Sequence, residues 1–230
     1  MPFYDFPSWV EPTAEQLIDV GLRGTLRIAV FSLVASALIG IVLGTLLTIR
    51  FLPSRALIRL YVEVWRGLPI IVTIFIVFFV FPVAGSQFEF DPFTSAIVGL
   101  SLWGSAQVAE ATRGAVQSIP KEQHEAAAAL GFGWVGRHAF VILPQAFRRL
   151  LPPLVSLLVG IIQNTTLAQV IGATELLDVG KRQVERITTP PPAGIGEIHA
   201  IEIYGAVAAI FFLISFPLTR LAAYLERRLV

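Results

Sequence analysis

Five long stretches free of acidic and basic side chains divide this sequence, and the longest of them runs from Leu150 to Thr174. A helix needs about 20 apolar residues to cross the hydrocarbon core of a bilayer, and in lipid its backbone amides must be satisfied within the chain. The stretches therefore predict an all-α membrane protein with five transmembrane helices. With their flanking residues, the predicted spans are residues 25–49, 57–82, 92–112, 149–174 and 201–221.

The composition excludes several other classes of protein. Hydrophobic residues make up 55% of the chain and charged residues only 14%, whereas about a quarter of a typical soluble domain is charged. A chain this poor in charge is not an ordinary soluble enzyme, a disordered protein or a nucleic-acid binder, so no nucleic acid is expected among its partners. The chain has no cysteine, which excludes a disulfide scaffold, a thiolate metal site and a cysteine nucleophile.

The basic residues between the spans predict the orientation. Most Lys and Arg residues follow the first, third and fifth spans, while the turn between spans two and three has none. Because positively charged segments stay in the cytoplasm, the N-terminus is predicted outside and the C-terminus inside. Residues 1–22 would then be an external N-terminal arm and residues 23–230 a single transmembrane domain, with residues 114–148 as its longest cytoplasmic segment.

The cytoplasmic segment contains a short helix of unusual composition. Four consecutive alanines, Ala126 to Ala129, favour a helix, with Ser118 as a candidate N-cap and Gly131 as a candidate C-terminal stop. The middle of this helix carries methyl groups in place of long side chains, so it would fit deep into a groove of another protein. From composition alone, a helix that simply lies in solvent is an equally good interpretation.

The spacing around this helix favours the first interpretation. The segment reads Glu125-Ala126-Ala127, three residues, Gly131, nine residues, Val141, one residue and Leu143-Pro144. This pattern resembles the cytoplasmic signature of ABC importer permeases, with Val141 in place of the usual Ile. Two further segments, from Glu63 to Pro69 and from Gly104 to Pro120, are similar to motifs of the polar amino acid permeases, a family with histidine, glutamine and glutamate types.

The resemblance implies a fold, a function and a set of partners. The fold would be that of a type I ABC importer permease, with the alanine-rich helix as a coupling helix that docks on an ATPase subunit. The partners would be an ATPase dimer, a second permease of the same or a similar chain, and an extracytoplasmic solute-binding protein, all at the inner or plasma membrane of a bacterium. The residues implied in ATPase coupling are Glu125, Ala126, Ala127, Gly131, Leu143 and Pro144.

The chain itself lacks the phosphate-binding pattern G-x-x-x-x-G-K-[ST] of an ATPase. The resemblance therefore implies that ATP and magnesium bind to the partner ATPase. This chain would be a translocation subunit with no catalytic residue and no cofactor of its own. Its three histidines, His124, His138 and His199, lack metal-ligand spacing, so no metal site is predicted.

Two pairs of opposite charge lie at the predicted inner edge of the membrane. Glu63 and Arg66 form one pair, and Glu110 and Arg113 form the other; each has the form E-x-x-R-G. A three-residue spacing puts both side chains on one helix face, where such a pair stabilises a helix by about 0.2–0.5 kcal/mol. The pairs are either simple intrahelical ion pairs or parts of an inner gate.

The fourth predicted span carries four polar residues in its middle, Gln163, Asn164, Thr165 and Thr166. In lipid such residues must face protein or a water-filled path, so they either bond to neighbouring helices or line the substrate route. In many members of the resembled family the matching stretch reads Lys-Asp-Thr-Ser-Leu. Because Gln163 and Asn164 replace the charged pair, a cationic substrate such as arginine loses a carboxylate partner, and a glutamate-like or glutamine-like substrate is favoured.

The first predicted span carries a helix-packing signal. Gly40 and Gly44 are four residues apart and therefore lie on one helix face. Small residues at this spacing let two membrane helices approach closely, so close packing of the first span against another helix is predicted.

Other functions are compatible with five spans. A stand-alone channel or carrier for a small solute would need no ATPase, but it leaves the pattern from Glu125 to Pro144 unexplained. A membrane-embedded enzyme would need a reactive group of residues, and the sequence shows none. A permease of the same fold for a different small polar solute is a further alternative.

Overall fold

The computed structural model describes residues 7–49, 53, 55–188 and 199–229, and the described chain is helical with no strand. A single 3₁₀ turn, Ser86–Phe88, leads from α3 to α4. The helices are α1 (Val10–Leu46), α2 (Arg55–Gly67), α3 (Ile70–Ala84), α4 (Pro92–Gln117), α5 (Lys121–Ala129), α6 (Trp134–Ile171), α7 (Leu176–Thr188) and α8 (Ala200–Leu229).

Three of these helices, α1, α6 and α8, are long and apolar enough to cross a membrane. The successive helices α2 and α3 would make a fourth span if the bent pair is counted as one. Helix α4 has 26 residues, which is long enough to cross, and it carries three serines, three glycines and the charged pair Glu110 and Arg113. The helical membrane fold is thus confirmed within the described residues, and the number of five spans stays a prediction.

Helix α1 is longer than its predicted span. It runs without a break through the π-helical turn Gln16–Leu22 and reaches 37 residues, or roughly 55 Å at 1.5 Å per residue. The hydrocarbon core is about 30 Å thick, so one end of α1 stands outside it. Much of the segment predicted as an N-terminal arm is therefore helix, and residues 1–6 of that arm lie outside the described part of the chain.

The segment predicted as one helix over residues 57–82 is two helices that meet at an angle of 113°. The break falls at Leu68 and Pro69, where the backbone of Pro69 is extended. Proline has no amide hydrogen to continue the helical bonding and disfavours helical geometry at the residue before it. The prediction of a continuous span was wrong at this point, because local proline chemistry overrides an apolar composition.

Helices α1 and α4 pack closely along a stripe of small residues. A Cβ atom at Gly40 would lie 2.5 Å from Cβ of Val108 and 2.7 Å from the carbonyl oxygen of Ser105. Further along, the hydroxyl of Ser36 donates to the carbonyl of Ser101. The predicted close packing at Gly40 and Gly44 is confirmed, and the partner helix is α4.

Helix α4 lies at the centre of the bundle. Buried aliphatic side chains of α1, α3, α4 and α6 meet around it in one hydrophobic core, and α2 is joined to it by a 2.6 Å hydrogen bond between the hydroxyls of Tyr61 and Ser105. The central position explains the small and polar residues of α4, since these face other helices and not lipid. The largest fully buried members of the core are Ile28, Ile74, Leu100, Ile161 and Ile162.

Candidate functional site

The predicted coupling helix exists as α5, Lys121–Ala129. It stops at Gly131, whose φ of +86° is left-handed. The amide of Gly131 donates to the carbonyl of Ala128, and the amide of Phe132 donates to that of Ala127. This is the Schellman arrangement, which glycine adopts without a steric penalty. The prediction that Gly131 ends this helix is confirmed.

The start of α5 differs from its prediction. Ser118 is the residue that ends α4, and its hydroxyl donates to the carbonyl of Ala115. Pro120 directly precedes α5 in extended geometry, and no side chain caps the helix. The assignment of Ser118 as N-cap was wrong, because α4 continues to Gln117 and uses Ser118 for its own end.

Helix α5 is attached firmly to the membrane bundle. Ala127 is its one buried residue, at 2% exposure, and α5 contacts the first turns of α6. The guanidinium of Arg149 donates to the carbonyl and hydroxyl oxygens of Ser118 at 2.6 and 2.7 Å, which ties the turn before α5 to α6. A small core supports this turn from below; it consists of Val116, Ile119, Ile142 and Ala146, with Leu143 packed against it. Movement of α5 would therefore be passed to α4 and α6.

The outer side of α5 presents an apolar surface. Ala126, Ala128 and Ala129 are exposed, and Leu130 is 79% exposed. Glu125 is also exposed, where it pairs with Lys121 at 3.0 Å. Exposed apolar patches of this kind mark interaction sites.

Three aromatic or aliphatic residues extend this apolar surface, and sequence reasoning missed them. Val135 is 72% and Phe140 74% exposed, and the rings of Phe132 and Phe140 lie 6.2 Å apart. The signal available in the sequence was the cluster of apolar residues directly after Gly131, since a segment that faces only water is not expected to carry such a cluster. Pro144, at the start of the regular α-helical part of α6, is exposed as well.

Of the two predicted ion pairs, one forms. The guanidinium of Arg113 makes a two-point contact with the carboxylate of Glu110, and both side chains are about three-quarters buried. Arg66 does not pair with Glu63, so that prediction was wrong. Its Nε donates to the side-chain oxygen of Gln107 on α4 at 3.3 Å, while Glu63 accepts from Arg59 at 3.1 Å. Helix packing brings Gln107 within reach of Arg66, and Arg59 lies one helical turn before Glu63.

The four polar residues predicted along the substrate route occupy different surroundings. Gln163 is exposed on the surface of the subunit, and Asn164 and Thr166 are partly exposed. Thr165 is fully buried, and its hydroxyl donates to the carbonyl of Ile162 at 2.8 Å. Helix α6 changes from α to 3₁₀ geometry at Thr165, so the polar run also marks an irregularity in the helix. Buried Thr165 is the member that a solute outside the subunit does not reach.

A cleft of 460 Å³ opens between α4 and α6. Its walls are mostly apolar, with the indole of Trp103 and the side chains of Gln107 and Ser156 as the larger or more polar groups. Gln107 is the residue that Arg66 contacts. The cleft thus connects with the inner-edge charges predicted from the sequence.

A buried carboxylate joins α1 to α7 and was not singled out by sequence reasoning. Glu175 is fully buried; its two carboxylate oxygens accept from the amides of Leu177 and Asp178 at 2.9 and 2.7 Å and so cap α7. The amide of Leu176 donates to the hydroxyl of Thr25 on α1 at 3.1 Å. The pattern of a carboxylate before a helix start is visible in the sequence, but its burial is not.

Burial of Glu175 predicts a pH-dependent stability. Desolvation raises the pKa of Glu175 to about 7 from 4.5. The contribution of Glu175 to the free energy of unfolding is fully present below pH 4.5, decreases as the pH rises toward 7, and is constant above pH 7. The total decrease is roughly 3 kcal/mol. We expect the melting temperature to fall over this interval in the wild type and to fall less in Glu175→Gln. Glu185→Gln, at an exposed site on the same helix, should keep the wild-type slope; a wild-type slope in Glu175→Gln would contradict the assignment.

No group of three or more His, Cys, Asp or Glu side chains that would hold a metal ion occurs among the residues described by the structure. The polar groups gathered here serve as helix caps, ion pairs and linings of clefts.

Residues 28–230 match the family described as binding-protein-dependent transport system inner membrane components. This chain belongs to that family. Its relatives include the glutamine transport system permease protein GlnP of Escherichia coli K12. The two chains are 36% identical over 222 residues, and the match covers 96% of each. The probable glutamine ABC transporter permease protein GlnP of Bacillus subtilis is 32% identical over 208 residues, covering 90% of this chain and 91% of its own.

A solved structure of an amino acid ABC transporter with histidines agrees with the fold. It superposes with a TM-score of 0.79 and 27% identity, covering 99% of this chain and 100% of its own. The permease fold implied by the signature from Glu125 to Pro144 is therefore confirmed. As a member of this family, the chain is a membrane component of a transport system, located in the inner membrane.

Proposed function

We propose that this chain is the permease subunit of an ATP-driven importer that moves a polar amino acid into the bacterial cytoplasm, with glutamine or glutamate as the favoured substrate. One observation carries the proposal: the 36% identity to a glutamine permease extends over 96% of both chains. Support for the substrate class also comes from Gln163 and Asn164, which put amides where many family members have a charged pair.

The proposed assembly has two permease subunits, two ATPase subunits and a solute-binding protein. The second permease is either a copy of this chain or a similar chain. Five spans with the N-terminus outside place α5 on the cytoplasmic side, where most basic residues lie. ATP and magnesium bind to the ATPase subunits, so this chain hydrolyses nothing itself.

The proposed mechanism is alternating access driven through α5. Closure of the ATPase dimer moves the surface on which α5 sits. Because α5 is tied to α4 and α6 through Ala127 and Arg149, those helices follow. Turning a 1:99 equilibrium of two states into 99:1 takes about 5.5 kcal/mol of differential binding. Glu125, Ala126, Gly131, Leu143 and Pro144 are proposed to complete or support the docking surface.

The substrate route is proposed to pass Gln163, Asn164 and Thr166, all of which are at least partly exposed on the subunit. At the inner edge, Arg66 with Gln107 and Glu110 with Arg113 would control the exit, since Gln107 lines the cleft between α4 and α6 and the second pair lies about one helical turn further along α4. Glu63 pairs with Arg59 and belongs to neither of these pairs.

The first experiment is purification in mild detergent, followed by identification of the chains that co-elute. We expect an ATPase subunit to co-elute. Transport of an amino acid by the reconstituted chain alone, with no ATPase present, would favour a stand-alone carrier and overturn the proposal.

Substrate preference provides a further prediction. ATPase activity of the purified complex with its binding protein should be stimulated by glutamine or glutamate and not by arginine. Asn164→Asp keeps the size of the side chain and adds a carboxylate, which should shift the preference toward arginine by about tenfold, the effect of one charge-assisted hydrogen bond. Thr165→Ser, at a buried position, serves as the control. Preference of the wild-type complex for arginine would refute the assigned substrate class.

A further inference from the structure

A second cavity lies behind α5, on the side that faces the bundle. It has a volume of 600 Å³, is partly open, and is lined by the residues directly after α1, the end of α4, α5 and the first turn of α6. Its polar and aromatic walls are formed by Thr48, Gln117, His124, Trp134, Arg137 and His138. None of the functions proposed above uses this cavity.

Arg137 has an unused hydrogen-bond donor in this region. Its Nε is buried and has no partner among the described residues, while another nitrogen of the same guanidinium donates to the carbonyl of His124 at 3.4 Å. A buried donor left unpaired costs about 1–3 kcal/mol, and more when it belongs to a charged group. Arg137 also lines the cavity, where a guanidinium is a binding group for an oxyanion.

Among the other polar side chains of the cavity, Gln117 leaves a donor and His138 is held in position. Nδ1 of His138 lies 2.9 Å from the carbonyl of Trp134, and the two rings stack at 4.1 Å, so this imidazole is fixed in position. The ring of His124 lies 6.1 Å from that of His138. The carbonyl oxygen of Gln117 is taken by Arg113, which leaves its amide nitrogen free to donate.

The described lining contains one arginine and no carboxylate. Burial, followed by the nearby charge of Arg137, lowers the pKa of His124, so this histidine is neutral at pH 7 and Arg137 supplies the charge. A cavity with a fixed cation, a free amide donor and no acid in its described lining favours an anion over a cation or an apolar ligand.

We propose that this cavity binds a phosphate group, supplied either by a phospholipid headgroup or by free phosphate in the cytosol. Phosphate is favoured over other anions because Thr48 and Ile49, which line the cavity, end the first span at the level of the inner phospholipid headgroups. This step rests on the orientation given under the proposed function. A bound phosphate joins α5 and α6 to the ends of α1 and α4 and so stiffens the attachment of the docking helix.

The test measures the melting temperature of the purified full chain against two probes. One arm adds inorganic phosphate and compares it with chloride at equal ionic strength. The other arm compares nanodiscs of phosphatidylcholine with nanodiscs that contain phosphatidylglycerol. We expect one arm to stabilise the wild type. In Arg137→Gln the apparent affinity of that probe should fall by about tenfold to a hundredfold, as expected for losing a hydrogen bond to a charged group.

Two further variants keep the test decisive if Arg137→Gln folds poorly. Gln117→Glu keeps the contact with Arg113 and places a negative charge at the cavity, so it should weaken binding of the probe. Arg148→Gln removes an exposed positive charge from the same helix without touching the cavity, and it should bind like the wild type. No stabilisation in either arm, or equal stabilisation of the wild type and Gln117→Glu, would overturn the proposal. Since transport is not the readout, this failure is separate from a failure to retain an ATPase.

Discussion

Replacing Ala127 by arginine is expected to yield a chain that enters the membrane but no longer retains the ATPase subunit. Ala127 is the buried residue of α5, at 2% exposure, and α5 packs on the start of α6. An unpaired guanidinium is not tolerated at this buried position, because burying it costs several kcal/mol. The helix would be expelled, and ATP-driven uptake should fall by about a hundredfold or more.

The matched control is Ala127→Ser, which stays small and can satisfy its hydroxyl on a backbone carbonyl of its own helix. It should keep uptake close to the wild type. The measurements are membrane insertion by fractionation, ATPase retention in mild detergent, and uptake by vesicles. Full uptake by Ala127→Arg would be incompatible with a coupling role for α5.

A second variant tests the outward face of the same helix without disturbing its seat. Leu130 is 79% exposed in the isolated subunit, so Leu130→Asp should leave the melting temperature of the chain unchanged. If the ATPase covers this surface, the buried carboxylate would weaken the complex, whereas Leu130→Met should not. Loss of melting temperature in Leu130→Asp would show that Leu130 supports the fold and not the docking surface.

Replacing Gly40 by alanine is expected to destabilise the fold strongly, although it adds only one methyl group. The new methyl group would lie 2.5 Å from Cβ of Val108 and 2.7 Å from a backbone oxygen of α4. Since a backbone atom does not turn away as a flexible side chain does, α1 and α4 must separate. Overpacking of this kind costs about 1–3 kcal/mol, and it falls on the most extensive helix contact of the described fold.

Gly160→Ala is the matched control. Gly160 also lies within a long helix, but apart from its own helix backbone and chain neighbours no atom lies within 4 Å of its added methyl group. The substitution should leave stability unchanged or raise it by about 0.5–1 kcal/mol through helix propensity. Thermal unfolding of the two variants in the same detergent measures the difference, and equal melting temperatures would contradict the packing described for α1 and α4.

Local signals predicted the parts of the fold that depend on neighbouring residues. Glu110 and Arg113 pair as expected because a three-residue spacing on one helix fixes their proximity. Gly131 ends α5 because its left-handed geometry suits glycine. Arg66 was assigned to the wrong partner because its actual contact, Gln107, lies 41 residues away. Ser118 was assigned to the wrong helix because two helix ends compete for the same few residues.

The amino-acid sequence by itself determined the helical membrane fold, the apolar stretches and the family, since these follow from hydropathy and short motifs. Only the tertiary structure decided that α2 and α3 meet at 113°, that α4 lies at the centre, and that Ala127 faces inward while Leu130 faces outward. The cavity around Arg137 likewise requires Thr48 and Ile49 to meet the segment from Val116 to His138, which is distant along the chain. Such features depend on which helix faces meet, and that is set by packing among residues far apart in sequence.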